Sequence, residues 1–373
     1  MIVSTCVANA VAAQSIINST SIYIPNSITV HANNVENNGF ILNNGTIELT
    51  GDWQNKSVYQ GLGTTGLTGS NQSIDNNNQE IHQLLVSGGG SKTVSGKLTI
   101  TGSIELAAGI ITVGDHDTLL VRDNAAIEGG SASSFVDGPL TIEGTGYKFF
   151  PVGRGGSYYP ITLTDVRGAN TTMQVTAFKD LPAVATAEPV EIDQRVYWNV
   201  QKVDGSFSGS PVSAFLGIEV EETERIVIIT ADDLEDQFEI IENKELESAN
   251  GISYVVSQDP VTRTILAVGA RPEKPVIPGY LSTTLSPNAA NPDNRLIKMF
   301  GADVRPANFH FQVVNRWGNT VFESTSLDTM ITDGWDGRFA GQLLPAGAYP
   351  YMLTYVDRKG KESNIRGFIT ILN

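Results

Sequence analysis

A step of 21 residues runs through the middle of the chain. Leu98 and Ile100 recur as Leu119 and Val121, then as Leu140 and Ile142. The same step carries Ile104 and Leu106 to Ala125 and Ile127, and Gly88 to Gly109 to Gly130. Columns that keep one register over successive periods are the mark of a stacked structural unit. Within a period, apolar and polar residues alternate in short runs, and Gly- or Asp-containing turns follow. Three short strands and three corners fit 21 residues, the length of one coil of a parallel β-helix. No single coil can bury its inward side chains, whereas a stack of coils can. The pattern predicts Leu, Ile and Val inside, with Thr, Ser, Glu and Lys on a solvated wall. An antiparallel sandwich with evenly spaced hairpins is the other arrangement that this spacing allows.

The flanking segments read differently. In residues 31–60, short apolar alternations are broken by Asn38-Gly39 and Asn44-Gly45, a strand–turn–strand pattern. Residues 61–80, mostly Gly, Thr, Ser and Asn, read as a loop. Residues 147–164 break the register. Tyr147, Phe149, Phe150, Tyr158 and Tyr159 surround Gly153-Arg154-Gly155-Gly156. That cluster suits a cap over an open coil end, or a platform on which sugar rings stack. Seven strand-like runs follow, at Met173–Phe178, Arg195–Val200, Val212–Val220, Arg225–Thr230, Phe238–Ile241, Ser253–Ser257 and Thr264–Val268. They predict an antiparallel β-sandwich. Pro272, Pro275 and Pro278 then mark a semi-rigid linker. The expected division is a repeat region with its cap over 14–165, a sandwich over 166–270, a linker over 271–285 and a last module over 286–373.

The last module carries the most specific signals. Phe309 to Val313 alternates as a strand and runs into Asn315-Arg316-Trp317-Gly318, followed by Val321-Phe322. Gly334-Trp335-Asp336-Gly337 forms a Gly-rich turn. Leu344-Pro345-Ala346-Gly347-Ala348-Tyr349-Pro350-Tyr351 opens a strand. The Asp357–Gly360 turn leads to the closing strand Gly367-Phe368-Ile369-Thr370-Ile371. The physical reading is a small immunoglobulin-like sandwich. Trp317 and Trp335 are expected to fill its core, with Arg316 stacked on one of them.

In the order and spacing of these motifs, the segment resembles the type B C-terminal sorting domain of the type IX secretion system of Bacteroidetes, also called the gliding motility-associated C-terminal domain. The matching sorting-motif positions are Asn315, Arg316, Trp317, Gly318, Gly334, Trp335, Asp336, Gly337, Pro345, Gly347, Tyr349 and Gly367. The resemblance covers about 90 residues. It implies recognition by the outer-membrane translocon and its shuttle proteins. Release outside, or attachment to the outer face of the outer membrane, would follow, with the module often retained. One departure stands out. Family members usually open on a Pro-Asn-Gly-Asp-Gly type of acidic turn, but here Ser286 to Asn294 carries Ala289 and Ala290. No cation role is expected of that turn.

An export route needs a signal, and residues 1–13 read as one. IVSTCVANAVAA is apolar or small and uncharged, and Val11 and Ala13 satisfy the small-residue rule before a cut at Gln14. It lacks a basic leading region, and its apolar run is short. A lipidated Cys6 and a short buried N-terminal strand are the alternatives. Cys6 is the one cysteine, which excludes an intrachain disulfide and a cysteine zinc site. No stretch approaches the ~18 apolar residues of a membrane span.

Net charge is −16. No basic face is available to track phosphates, so nucleic acid is not an expected partner. The charge is uneven: −7 over residues 1–165, −10 over 166–272 and +1 over 286–373. The last module is therefore electrostatically separate from the rest.

Two clusters carry possible chemistry. Asp115 and Asp117 flank His116, with Arg122 and Asp123 close in sequence, which suggests an acid/base or metal site on a coil corner. Asp and His are also ordinary corner residues. Asp232, Asp233, Glu235 and Asp236 offer hard oxygen ligands for Ca²⁺, but without the alternating spacing of a known loop. A solvated acidic turn is the plainer reading. No phosphate loop, nucleophile elbow or HExxH appears. The resulting expectation is an all-β, non-enzymatic exported protein without cofactor or metal. It comprises a β-helix-like solenoid, a β-sandwich and a small sorting sandwich, and its passenger is adhesive or structural. A polysaccharide-binding or polysaccharide-cleaving β-helix is the first alternative. An accessory subunit of the secretion or gliding machinery is the second.

Overall fold

The computed structural model describes residues 14–216, 225–249, 251–272, 279–301, 304–357 and 360–372. The expected export segment 1–13, with Cys6, lies outside the described residues. So do the end of the run expected over Val212–Val220, residues 273–278 of the expected linker and part of the turn after Asp357. The fold is all-β, and its N-terminal part is a β-solenoid of about seven turns. No helix among the described residues is long and apolar enough to cross a membrane.

The solenoid has three faces. The first stacks Ile16–Asn18, Val35–Asn37, Trp53–Asn55, Gln72–Asp75, Ser91–Ser95, Ile110–Val113, Val136–Asp137 and Val152–Arg154, all in parallel. The second begins with Ser21–Ile24, Phe40–Asn43 and Val58–Gln60. The third begins with Thr29–Ala32, Thr46–Leu49 and Thr64–Leu67. Glu80–Val86 and Lys97–Leu106 are single longer strands that each serve two faces. Lys97–Leu106 pairs its first half with Thr118–Val121 and its second with Ala126–Gly129.

The 21-residue step is real on one face. Leu98, Leu119 and Leu140 are in register, as are Ile100, Val121 and Ile142. On the next face it is wrong by two. Ile104 pairs with Ile127, and Leu106 with Gly129, not with Ala125 and Ile127. The corner closed by the Ala125 N–H to Arg122 carbonyl bond holds two extra residues. A slip of two keeps each side chain on its own face, so the pattern survives the insertion.

The solenoid reaches further back than the repeat shows. Residues 61–80 are not a loop, for they contain the strands Thr64–Leu67 and Gln72–Asp75. Thr65, Leu67, Gln72 and Ile74 alternate inward, so only half of each strand needs packing side chains. Residues 31–60 likewise form coils, not hairpins. Gly39 does not supply a left-handed turn. A Cβ there would sit 2.2 Å from the Thr20 carbonyl of the coil before. The glycine permits close stacking.

The interior of these early coils is partly polar. Asn18, Asn37 and Asn55 are buried and stacked. Asn18 Nδ2 donates to Asn37 Oδ1 at 2.7 Å, and Asn37 Nδ2 to Asn55 Oδ1 at 2.8 Å. Each also accepts from the backbone N–H two residues on, at Thr20, Gly39 and Ser57. The expectation that Lys would lie outside fails at Lys92, which is fully buried. Its Nζ donates to the carbonyls of Gly69, Ser70 and Gly89, and burial pushes its pKa down.

The sandwich grows out of the solenoid wall. Leu140–Glu143, the last strand of one face, pairs antiparallel with Thr172–Lys179. That sheet continues through Val196–Asp204, Ile265–Ala270, Ile226–Ala231 and Gln237–Ala249. A second sheet runs Gly146–Phe150, Ile161–Val166, Val212–Phe215, Ile252–Ser257 and back to Gln237–Ala249. Gln237–Ala249 thus belongs to both sheets, joined across an irregularity at Asn243 to Glu245. One hydrophobic cluster spans Ile24 to Ala270, so the boundary expected at 165/166 falls inside a common core. Trp198 is fully buried there, and its indole N–H donates to the Tyr159 carbonyl at 2.9 Å.

Residues 273–373 form a second compact unit. Its sheet has five strands in the order Thr284–Leu285, Glu362–Ile371, Gly347–Val356, His310–Val314 and Thr320–Ser324. All pairs are antiparallel except Thr284–Leu285 with Thr370–Ile371. Tyr280–Leu281 pairs with Met299–Phe300, and the helix Leu327–Thr332 adds Leu327 and Met330 to the core. Residues 280–285, expected in the linker, therefore belong to this unit, and Leu285 is fully buried in it.

Candidate functional site

The sorting-motif residues divide into those that build the C-terminal unit and those that project from it. Trp335 builds it. It is 2% exposed, bridges Ile297 through paired backbone bonds of 2.8 and 2.9 Å, and stacks on Phe322 with centroids 5.5 Å apart. Its indole N–H donates to the Arg338 carbonyl at 3.0 Å. Gly334 precedes it with φ +65°, where a Cβ would lie 2.5 Å from the Ile297 carbonyl. Asp336 Oδ1 accepts from the Arg338 N–H at 3.0 Å, which closes the turn. Gly337 leaves room for Leu285 and Ile371.

Gly367 pairs with Tyr351 across the two longest strands of the unit. The tyrosine ring covers the place a side chain would take, 2.8 Å from an added Cβ. Gly347 opens the strand Gly347–Val356, opposite Ile371. Two residues on, the Tyr349 hydroxyl donates back to the Pro345 carbonyl at 2.8 Å and pins the entry to that strand.

Asn315 to Gly318 caps the hairpin between His310–Val314 and Thr320–Ser324. Asn315 Oδ1 accepts from the N–H groups of Trp317 and Asn319, both at 3.0 Å. Gly318 N–H donates to the Asn315 carbonyl at 3.0 Å, and Asn319 accepts from Asn315 N–H at 2.9 Å. Trp317 is not in the core, contrary to expectation. It is 73% exposed at the hairpin tip. A side chain at the top of a tight turn lies beyond both strands and has no sheet face to pack on. The expected stacking of Arg316 does occur: its guanidinium carbon lies 4.7 Å from the Trp317 ring centre.

The opening turn holds no carboxylate set. Asn291 caps the 3₁₀ turn Pro292–Arg295, and Arg295 Nε donates to the Ala289 carbonyl at 2.7 Å. Asp293 is the acidic residue of this turn, 3.8 Å from Lys298 Nζ.

In the solenoid, the residues proposed for chemistry have separate partners. Asp117 accepts from the Gly96 N–H at 2.7 Å, one coil away. Arg122 bridges Glu80 at 2.9 Å and Glu143 at 2.8 Å, and these carboxylates hold its pKa up. Asp123 pairs with Lys148 at 2.8 Å. Near the acidic turn, Asp232 meets Arg263, while Asp233 and Asp236 bond to local backbone N–H groups. Among the described residues, no group of three or more His, Cys, Asp or Glu converges as a metal set.

One feature was not legible in sequence. A cavity of 270 Å³ lies where solenoid and sandwich meet, lined by Asp123, Ala125, Ala126, Ile127, Ile142, Tyr147, Lys148 and Phe149. The Lys148 side chain is 9% exposed. The aromatic cluster expected as a cap is split here. Phe150 and Tyr158 are buried, whereas Tyr147 is 67% exposed at the cavity.

Comparison with known families matches residues 280–371 to the CHU_C Type IX secretion signal domain. The match begins where the second unit's first described strand begins, at Tyr280. No curated protein matches the chain. A secretion signal domain in this position implies type IX cargo, an interaction with the type IX machinery, and export to the cell surface or the medium.

Proposed function

We propose that residues 14–272 are a non-enzymatic, adhesive or structural passenger, delivered through an N-terminal export signal and carried across the outer membrane by the C-terminal unit with the help of the translocon's shuttle proteins. The observation that carries this reading is the way the solenoid uses its polar side chains. Asp117, Arg122 and the asparagine ladder each tie one coil to another, and Asp123 ties the solenoid to the sandwich through Lys148. A side chain held this way stiffens the stack and is not free to exchange protons with a substrate. A rigid stalk with a strongly acidic surface suits an extracellular spacer that repels itself and stays soluble. The test is adhesion of a type IX-competent host carrying the full chain or a chain lacking residues 14–272, with surface display of both confirmed by antibody. Equal adhesion would remove the adhesive role.

A second reading, a polysaccharide-binding passenger, is favoured by the cavity beside Tyr147. The Asp123 carboxylate and Lys148 ammonium offer an acceptor and donors side by side. That pairing suits neighbouring sugar hydroxyls, and the exposed tyrosine ring offers a stacking face. Calorimetric titration of the full chain with neutral and uronic-acid oligosaccharides tests it. Heat that disappears in Tyr147→Ala supports this reading, and no heat with any sugar rejects it.

A further inference from the structure

Residues 280–371 match a secretion signal, so the machinery must read some surface of this unit. Most motif residues cannot be that surface. Trp335 is buried, and Gly334, Gly337 and Gly367 make room for neighbouring groups. Asn315, Gly318 and Asp336 are consumed in their own turns. The Tyr349 hydroxyl is engaged with the Pro345 carbonyl, and exposed Pro345 and Gly347 offer neither a charge nor a large apolar side chain. Arg316 and Trp317 remain. Neither contributes to the hydrophobic core of the unit, yet an indole left 73% in water is an unusual use of the largest apolar side chain.

We propose that the Arg316–Trp317 pair is the contact by which the type IX machinery grips this chain, seated in a slot that is apolar for the indole and acidic for the guanidinium. This rests on the reading of residues 280–371 as the sorting signal. Three observations support it. The pair is preorganised: two hydrogen bonds accepted by Asn315 Oδ1 fix the turn, and the guanidinium already lies 4.7 Å over the ring. Little conformational freedom is lost on docking. Trp and Arg are the side chains that most often dominate binding at interfaces, as anchors in desolvated pockets. The charge distribution also fits. The passenger is strongly negative while this module is near neutral, net +1 over 286–373, so an acidic slot attracts the guanidinium and repels everything N-terminal to the unit.

Other exposed apolar residues fit less well. Tyr280 and Phe300 already stack on each other at 5.2 Å. Phe368, opposite Pro350 in the strand register, is exposed and has no cation on its ring among the described residues.

The experiment expresses the full chain in a type IX-competent host and measures the fraction reaching surface and medium. The variants are Arg316→Ala with Trp317→Ala, Arg316→Glu alone, and a chain ending at Pro272. Circular dichroism and melting of the purified full-length variants check folding. The expected result is a tenfold or greater loss of exported chain for the double variant, periplasmic accumulation, and a melting curve like that of the parent. Arg316→Glu, which keeps the ring, is expected to lose export by a similar factor, and it decides the matter if the double variant melts early. Normal export of Arg316→Glu and of a folded double variant, with the Pro272 chain retained, overturns the grip while leaving the sorting signal intact. Export of the Pro272 chain overturns both.

Discussion

Replacing Asn37 by Ala should loosen the first coils of the solenoid without unfolding the rest. Asn37 is fully buried and sits in the middle of the ladder. It donates to Asn55 Oδ1 at 2.8 Å and to the Val58 carbonyl at 3.0 Å. It accepts from Asn18 Nδ2 at 2.7 Å and from the Gly39 N–H at 3.1 Å. Each such bond contributes about 1 kcal/mol net, and a buried group left without a partner costs about 1–3 kcal/mol. Two of the four bonds are fully buried, so the expected loss is about 3–5 kcal/mol. Because coils contact only their neighbours, the loss concentrates locally. Hydrogen exchange should quicken across residues 14–60 by two or more orders of magnitude, with residues 140–270 little changed. Asn38→Ala is the control. Its side-chain amide, on an exposed residue, donates to Glu36 at 3.1 Å, so the change should stay within about 0.5 kcal/mol. If Asn37→Ala exchanges like Asn38→Ala, the ladder does not hold the coils together and the reasoning is wrong.

Other expectations follow from the same geometry. Trp335→Ala removes a buried indole and its bond to Arg338, and should lower the stability of the C-terminal unit by about 3–5 kcal/mol in urea melts. Gly334→Ala should destabilise that unit as well, since it strains φ +65° and meets the Ile297 carbonyl, and differential scanning calorimetry reads this directly. Arg122→Ala breaks a partly exposed link across coils and should cost no more than about 1 kcal/mol. Glu242 is held below its ordinary value of 4.5 by its hydrogen bonds to Arg271, so its contribution is complete above that value and is lost as pH falls through the lowered one. Glu242→Gln should therefore flatten the acid side of the stability curve, measured by melts between pH 5 and pH 2.

The parts legible in sequence are those where one residue type suffices. The columns Leu98, Leu119, Leu140 and Ile100, Val121, Ile142 announced the solenoid because apolar residues alone fill them. The earlier coils were hidden because their inward positions include Asn18, Asn37, Asn55 and Gln72. Polar residues at inward positions look like loop until their partners one coil away are known, and the coil length there differs from 21. Gly39 after Asn38 misled for a related reason, since glycine serves close approach as well as turns. In the C-terminal unit the motif was readable, but the fates of its two tryptophans were not. Trp335 follows a glycine that lets it turn inward, whereas Trp317 rides on a hairpin tip. The cavity beside Tyr147 joins residues from separate strands that no local pattern connects.

The most direct test of the account is localisation. The full chain and a chain ending at Pro272 would be expressed in a type IX-competent host and followed in periplasm, outer surface and medium. The account predicts that the full chain reaches the surface or the medium while the shortened chain stays in the periplasm. Equal distribution of the two would contradict it and would make residues 280–371 a working domain and not a sorting signal.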